Sequence, residues 1–213
     1  MGTYNKGILG AFSGKVGPVV GATWRGKDVL RSLPKKGNRT ASETQLLQRL
    51  KFKTVSGFLT PLTPLISRFF GSGSLEKTRT NQAMSYHMTE AVTYVAPDFE
   101  INFEKVLISK GDLLGLQSPT VAPGAGTSID FTWIDNSNQG QAKETDQLIV
   151  AAYEPSGKTT VYSLDSGKRV DGQGNFILPA YLSGLKIEVW IAFVSEDYKR
   201  YATSVYMGKV ILT

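Results

Sequence analysis

The chain has 213 residues, 41% of them hydrophobic and 20% charged, and its 22 glycines follow no three-residue period; this is a globular composition that excludes collagen, long coiled coil and low-complexity sequence. Zero cysteines exclude disulfide scaffolds, thiolate metal sites and cysteine nucleophiles, and one histidine leaves a single imidazole to act as a base. The net charge of +6 is lopsided: residues 1–80 hold 14 Lys and Arg against 3 Asp and Glu, residues 81–213 hold 10 against 15, so the first third can attract a polyanion, an acidic partner or the acidic part of another copy.

Residues 1–37 are punctuated by glycines, with short β-prone pieces at Val16 to Trp24 and Lys27 to Leu33. Arg25-Gly26 between them supplies the positive φ of a tight turn. The stretch is poor in bulky apolar groups and reads as a hairpin or arm. Over 40–59 the pairs Thr40/Glu43 and Ser42/Gln45 form two overlapping capping boxes. Leu46, Leu47, Leu50, Val55, Phe58 and Leu59 then follow a helical stripe that Pro61 stops. A short apolar piece, Leu62 to Phe70, ends at Gly71-Ser72-Gly73-Ser74. A further helix is predicted from Thr80 to Tyr94, with Ala83, Met84, His87, Met88, Ala91 and Val92 on one face.

From Asp98 the period changes to two, as Phe99, Ile101 and Phe103 alternate with Glu100, Asn102 and Glu104. Strands are predicted at 106–109, 128–134, 147–153, 159–164, 175–178, 186–194 and 203–212, separated by Pro, Gly, Asp and Asn turns. The expectation is an α+β chain. Residues 1–97 form a basic Gly-rich arm plus two or three helices, and residues 98–213 an antiparallel β-sandwich of fibronectin or immunoglobulin type, with Trp133 and Trp190 on inner faces.

No motif assembles a catalytic constellation. Gly21 to Lys27 has the spacing of a phosphate loop, yet Asp28 stands where a magnesium-binding hydroxyl is required, so a hairpin turn is the better account. Asp135 to Asp146 has the length of a calcium loop, but Gln139 and the short Asp146 fit it poorly, and strands flank it where helices are needed. His87 lies on an apolar helix face and reads as a packed residue. Asp98, Glu100 and Glu104 read as a solvated strand face. No enzymatic activity and no cofactor or metal is expected.

The strongest functional candidate is the basic set Lys15, Trp24, Arg25, Lys27, Arg31, Lys35, Lys36, Arg39 and Arg49, with Lys51, Phe52 and Lys53 following. Cations interleaved with aromatics suit a protein partner, self-association or a phosphate backbone. The run GILGAFSGKVGPVVGATWRGKDVLRS and the Gln45/Arg49 spacing resemble a family of uncharacterised bacterial proteins, as do the later stretches FTWIDNS and AAYEPSGK. Gly14, Val16, Gly17, Trp24, Gly26, Lys27 and Arg31 also resemble the opening of small phage and prophage virion-associated proteins, with Val29 where that pattern has an aromatic. The resemblance implies no catalytic residues.

The expectation is therefore a non-enzymatic structural or interaction protein, a component of a phage-tail-like or other assembly; the alternative is a nucleic-acid-binding module. A carbohydrate role would fall to Trp133, Tyr153 and Tyr162 by fold analogy alone. With no apolar core of signal-peptide length and no apolar run near ~20 residues, the expected location is cytoplasmic or within a virion or other assembly, with no membrane contact.

Overall fold

The computed structural model describes residues 2–4, 11–24, 26–34, 40–74 and 77–212. It divides into two compact units, residues 1–43 and residues 44–213. Among the described residues it is a mixed α+β chain, mostly strand, with three α-helices and several antiparallel sheets.

The first unit is a four-stranded antiparallel meander of β1 (Gly2–Tyr4), β2 (Phe12–Val16), β3 (Val19–Trp24) and β4 (Lys27–Ser32), in that order across the sheet. The piece expected as one strand from Val16 to Trp24 is broken at Gly17-Pro18, where Gly17 takes φ +57° and Pro18 has no N–H to give a ladder. Gly26 supplies the positive φ of the next turn, at +78°. Arg25 lies outside the described residues. Gly21 is required for a different reason: a Cβ there would collide with the backbone and ring of Phe12 on the neighbouring strand.

The second unit is built on a four-stranded sheet ordered β10-β9-β12-β13, formed by β9 (Gln147–Glu154), β10 (Thr159–Ser163), β12 (Lys186–Val194) and β13 (Val205–Ile211). Its central strands, QLIVAAYE and KIEVWIAFV, are buried at every position after the first, so neither has a solvent face. One face packs Leu148, Val150, Val189, Ile191 and Phe193 against Ile129, Phe131 and Trp133 of β8 (Ser128–Ile134) and Phe176 of β11 (Gln173–Ile177). With β7 (Gln117–Pro123), these two strands form a three-stranded sheet ordered β11-β8-β7.

The opposite face packs Ile149, Ala151, Tyr153, Trp190, Ala192 and Val194 against helices. These are α1 (Glu43–Leu59), α2 (Thr63–Phe69) and α3 (Arg79–Glu90). Phe58 of α1 meets the Tyr153 ring edge-on at 5.0 Å and the Trp190 ring at 6.2 Å. Of the helical stripe read from sequence, Val55, Phe58 and Leu59 are buried in this core, whereas Leu46 is exposed. Residue 97, where the period is expected to change, lies inside the second unit, in the turn of a hairpin whose first strand already begins at Val92.

Several expectations are corrected. The third helix stops at Glu90, because Val92 to Val95 are β-branched or aromatic and pair as β5 (Val92–Val95) with β6 (Asp98–Ile101). Phe103 leaves the alternating strand for a 3-10 turn, Phe103–Lys105, where its carbonyl accepts the Trp190 indole N–H at 3.2 Å. Residues 106–109 form no strand; instead the Ser204 hydroxyl accepts the Ile108 N–H at 2.9 Å and pins the segment. The strand β7 lies in a stretch the sequence left as a connection. Trp133 and Trp190 are both buried, but Trp190 faces the helices rather than the second sheet.

A buried ionic knot fixes the loops at one end of the sheets. Arg169, fully buried, donates Nε to Asp146 Oδ2 at 3.0 Å, Nη2 to the Leu114 carbonyl at 2.8 Å and Nη1 to Asn136 Oδ1 at 2.5 Å. Its guanidinium sits 4.0 Å from the Phe193 ring centroid, and its carbonyl accepts the Trp133 indole N–H at 2.8 Å. Burial works against the charge of Arg169, and Asp146 supports it.

Truncating one partner of such a pair leaves the other charge stranded. Arg169→Ala is expected to cost about 3–5 kcal/mol, read as a lowered denaturant midpoint, while Lys199→Ala in the exposed Lys199–Asp197 pair should leave the midpoint where it is.

Candidate functional site

The strand registers sort the basic set onto faces of the first sheet. Lys15 lies opposite Val20 and Val20 opposite Arg31; Ala22 lies opposite Val29, and Trp24 opposite Lys27. Because side chains alternate along a strand, Lys15, Val20, Trp24, Lys27, Val29 and Arg31 all belong to one face. The other face carries Val16, Val19, Leu30 and the Thr23–Asp28 pair, in which Thr23 Oγ1 donates to Asp28 Oδ1 at 2.9 Å. The only carboxylate on these strands is therefore held away from the three cations.

Every residue of β4 is exposed, and β4 is an edge of its sheet. Trp24 is 60% exposed and Leu30 66%. Unpaired edges of this kind are templates for another strand. The unit 1–43 holds eight Lys and Arg against two Asp and Glu, while residues 44–213 hold sixteen of each, so the whole net charge of the chain sits in the first unit.

Of the predicted residues, Lys15, Trp24, Lys27 and Arg31 share this face. Arg25, Lys35, Lys36 and Arg39 lie outside the described residues, and Arg49 is exposed on α1 in the second unit. Sequence reasoning passed over Val20 and Val29, which complete the face, and Leu30, which backs it. Their signal was present in the alternation Lys27-Asp28-Val29-Leu30-Arg31, which puts two cations and a valine on one side of a strand.

The other candidates resolve into packing. The carbohydrate trio is not brought together: Trp133 lies in the core between the sheets, Tyr153 lies in the core beneath the helices, and both are buried. In the calcium-like loop, Asp146 is committed to Arg169, and its Oδ2 also accepts the Lys143 N–H at 2.9 Å. Among the described residues no group of three His, Cys, Asp or Glu side chains is placed to hold a metal ion. No helix among them is long and apolar enough to cross a membrane.

His87 is fully buried, and both ring nitrogens are engaged. Nδ1 is 2.8 Å from the Ala83 carbonyl, and Nε2 accepts the Leu107 N–H at 3.3 Å. This pattern assigns the proton to Nδ1 and leaves no lone pair for catalysis. The ring packs beside Phe70 and edge-on to Tyr86, whose own ring carries Lys110. Burial holds the imidazole below its ordinary range, against the opposing pull of its two backbone partners.

Since the folded state resists the proton, the unfolded chain takes it up first as pH falls below about 6.5, and stability drops by up to about 1.4 kcal/mol per pH unit in that window. Above that pH the two states are equally neutral and nothing is lost. His87 is the only histidine, so urea unfolding at pH 8, 6 and 5 should show this decline in the native chain, and His87→Gln should flatten it between pH 8 and 6.

No curated protein is similar to the chain. Residues 11–208, from just before β2 into β13, match the model of a family of unknown function, DUF6266, and the chain belongs to that family.

Proposed function

We propose that this protein is a non-enzymatic interaction protein, a building component of a phage-tail-like or similar assembly, whose N-terminal sheet is the attachment element and whose second unit is the carrier. The observation that carries this reading is the face of Lys15, Trp24, Lys27 and Arg31 beside an edge strand exposed along its whole length. A sheet with that much exposed apolar and cationic surface gains stability by pairing with a partner. The likeness of its opening to phage and prophage proteins belongs to the same proposal, as does a cytoplasmic location before assembly.

The carrier is read as a fibronectin-type sandwich, and the strand order supports it. Taken along the chain from β7 to β13, the first, second and fifth strands share one sheet, and the third, fourth, sixth and seventh share the other. The two sheets bury one shared apolar core between them.

Light scattering of the intact chain against the chain lacking residues 1–42 tests the attachment role. The intact chain is expected to be larger than a monomer and the shortened chain monomeric; two monomers would refute the reading.

One observation favours a second reading, binding of nucleic acid: all of the net positive charge lies in the first unit, with Trp24 on the cationic face. Three engaged cations predict a slope of about −3 for log affinity against log salt on duplex DNA. Fluorescence anisotropy with a labelled duplex at low salt measures it, and the combination of Lys15→Glu with Arg31→Glu should abolish binding. No binding by the native chain at low salt excludes this reading.

A further inference from the structure

The second unit is closed along one side and open along the other. On the closed side β13 lies against β7. On the other, the edges of the two sheets, β10 and β11, flank a groove of about 640 Å³. At one end Ser166 bridges the gap: its N–H donates to the Leu148 carbonyl at 3.0 Å, and its carbonyl accepts the Asn175 N–H at 3.0 Å. Beyond that bridge the walls are apolar. Ile177 is 75% exposed on the β11 wall, Tyr162 is exposed on the β10 wall, and Phe176 and Leu178 line the groove more deeply. Ile177 is the most exposed large apolar side chain among the described residues.

The charge around this groove has one sign. Its charged lining residue is Asp165. An adjoining cavity of about 700 Å³ shares Asn175 and adds Asp130 and Asp171. No Lys or Arg among the described residues lines either. A nucleic acid would be repelled here, whereas a cationic strand would be drawn in.

We infer that this groove receives β4 of a second copy of the chain, added edge-on to β10. The inference rests on the reading of the N-terminal sheet as the attachment element and names its partner. The two edges match in length, since β4 has six residues and β10 five. They match in chemistry as well. Main-chain pairing would satisfy the open side of β10; one face of the added strand brings Leu30 over Tyr162, and its opposite face turns Lys27 and Arg31 toward Asp165 between the two sheet edges. Because the donating and receiving surfaces differ, the contact is head-to-tail. Each copy donates one strand and receives one, so copies propagate into a chain or close into a ring.

The test uses full-length protein, with sedimentation velocity over a concentration series. Leu30→Glu removes the donor and Ile177→Lys the receiver; both side chains are exposed, so thermal melts should match the native chain. Each variant is expected to weaken self-association by about tenfold or more. An equimolar mixture of the two is expected to form a 1:1 dimer, since one intact donor meets one intact receiver. In a second measurement, Arg31→Glu and Asp165→Lys should each weaken association singly and restore it when combined in one chain.

If Leu30→Glu is monomeric while Ile177→Lys associates like the native chain, the sheet attaches elsewhere; the inference is overturned and the attachment reading survives. Two unmixed monomers in the mixture overturn it as well. A native chain that stays monomeric at all concentrations overturns both the inference and the reading beneath it.

Discussion

The burial of β9 and β12 on both faces is the constraint from which the rest of the second unit follows. An ordinary antiparallel strand hides one face and shows the other to water, but here Ile149, Ala151 and Trp190 are as buried as Leu148, Val150 and Val189. Each large apolar side chain so enclosed is worth about 1.5–3 kcal/mol, and that gain is available only if the sheet has two covers. The β7, β8 and β11 sheet supplies one, and α1, α2 and α3 supply the other. The helices are therefore part of the same folding unit as the strands, and their apolar stripes are already spent on it.

Glu188, Glu154 and Arg169, all buried in this unit, are each compensated. Glu188, on the helix side of β12, accepts a hydrogen bond from the Tyr206 hydroxyl and lies 3.7 Å from Lys209 Nζ. Burial, reinforced by that hydrogen bond to Glu188, pushes the Tyr206 phenol far above its ordinary range. Glu154, at the end of β9, accepts the backbone N–H groups of Ser156 and Gly157 and so closes the turn into β10. Arg169 does the same for three loops at once. A buried cation with each of its three nitrogens aimed at Asp146, Asn136 or a carbonyl is a specificity device, because any other arrangement of those loops would leave it unpaired.

With the central strands committed to the core, two surfaces among the described residues carry the proposed contact. One is the first sheet, where three cations and a tryptophan share a face and β4 is an edge. The other is the side of the second unit where β10 and β11 fail to close, with Ile177 exposed among aspartates. One place is cationic beside an edge strand; the other is acidic beside an edge strand. Complementarity of that kind is what the proposed head-to-tail contact between copies uses.

Legibility followed locality. The stripe of Val55, Phe58 and Leu59, the alternation in Ser128–Ile134 and the continuous apolar run in Lys186–Val194 each occupy one element, and each element was read with its bounds nearly right. Val92–Val95 was misassigned to the preceding helix because its four residues are too few to set a period; only pairing with Asp98–Ile101 makes them a strand. The segment 106–109 looks like a strand in isolation and is instead held by a hydroxyl from Ser204, nearly a hundred residues away. Lys15, Trp24, Lys27 and Arg31 were chosen for composition, and the strand registers then brought them onto one side of a sheet.

By itself the sequence determined the α+β class, the glycine-broken basic opening, the absence of thiol chemistry and most of the strands, since these depend on residue type and short-range period. Tertiary structure alone decided that Trp190 faces helices and not a second sheet, that Asp146 is consumed by Arg169, and that the sheets close at β7 and β13 but gape at β10 and β11. The physical reason is that a two-residue period says a strand has two faces, while what covers each face depends on residues far away along the chain.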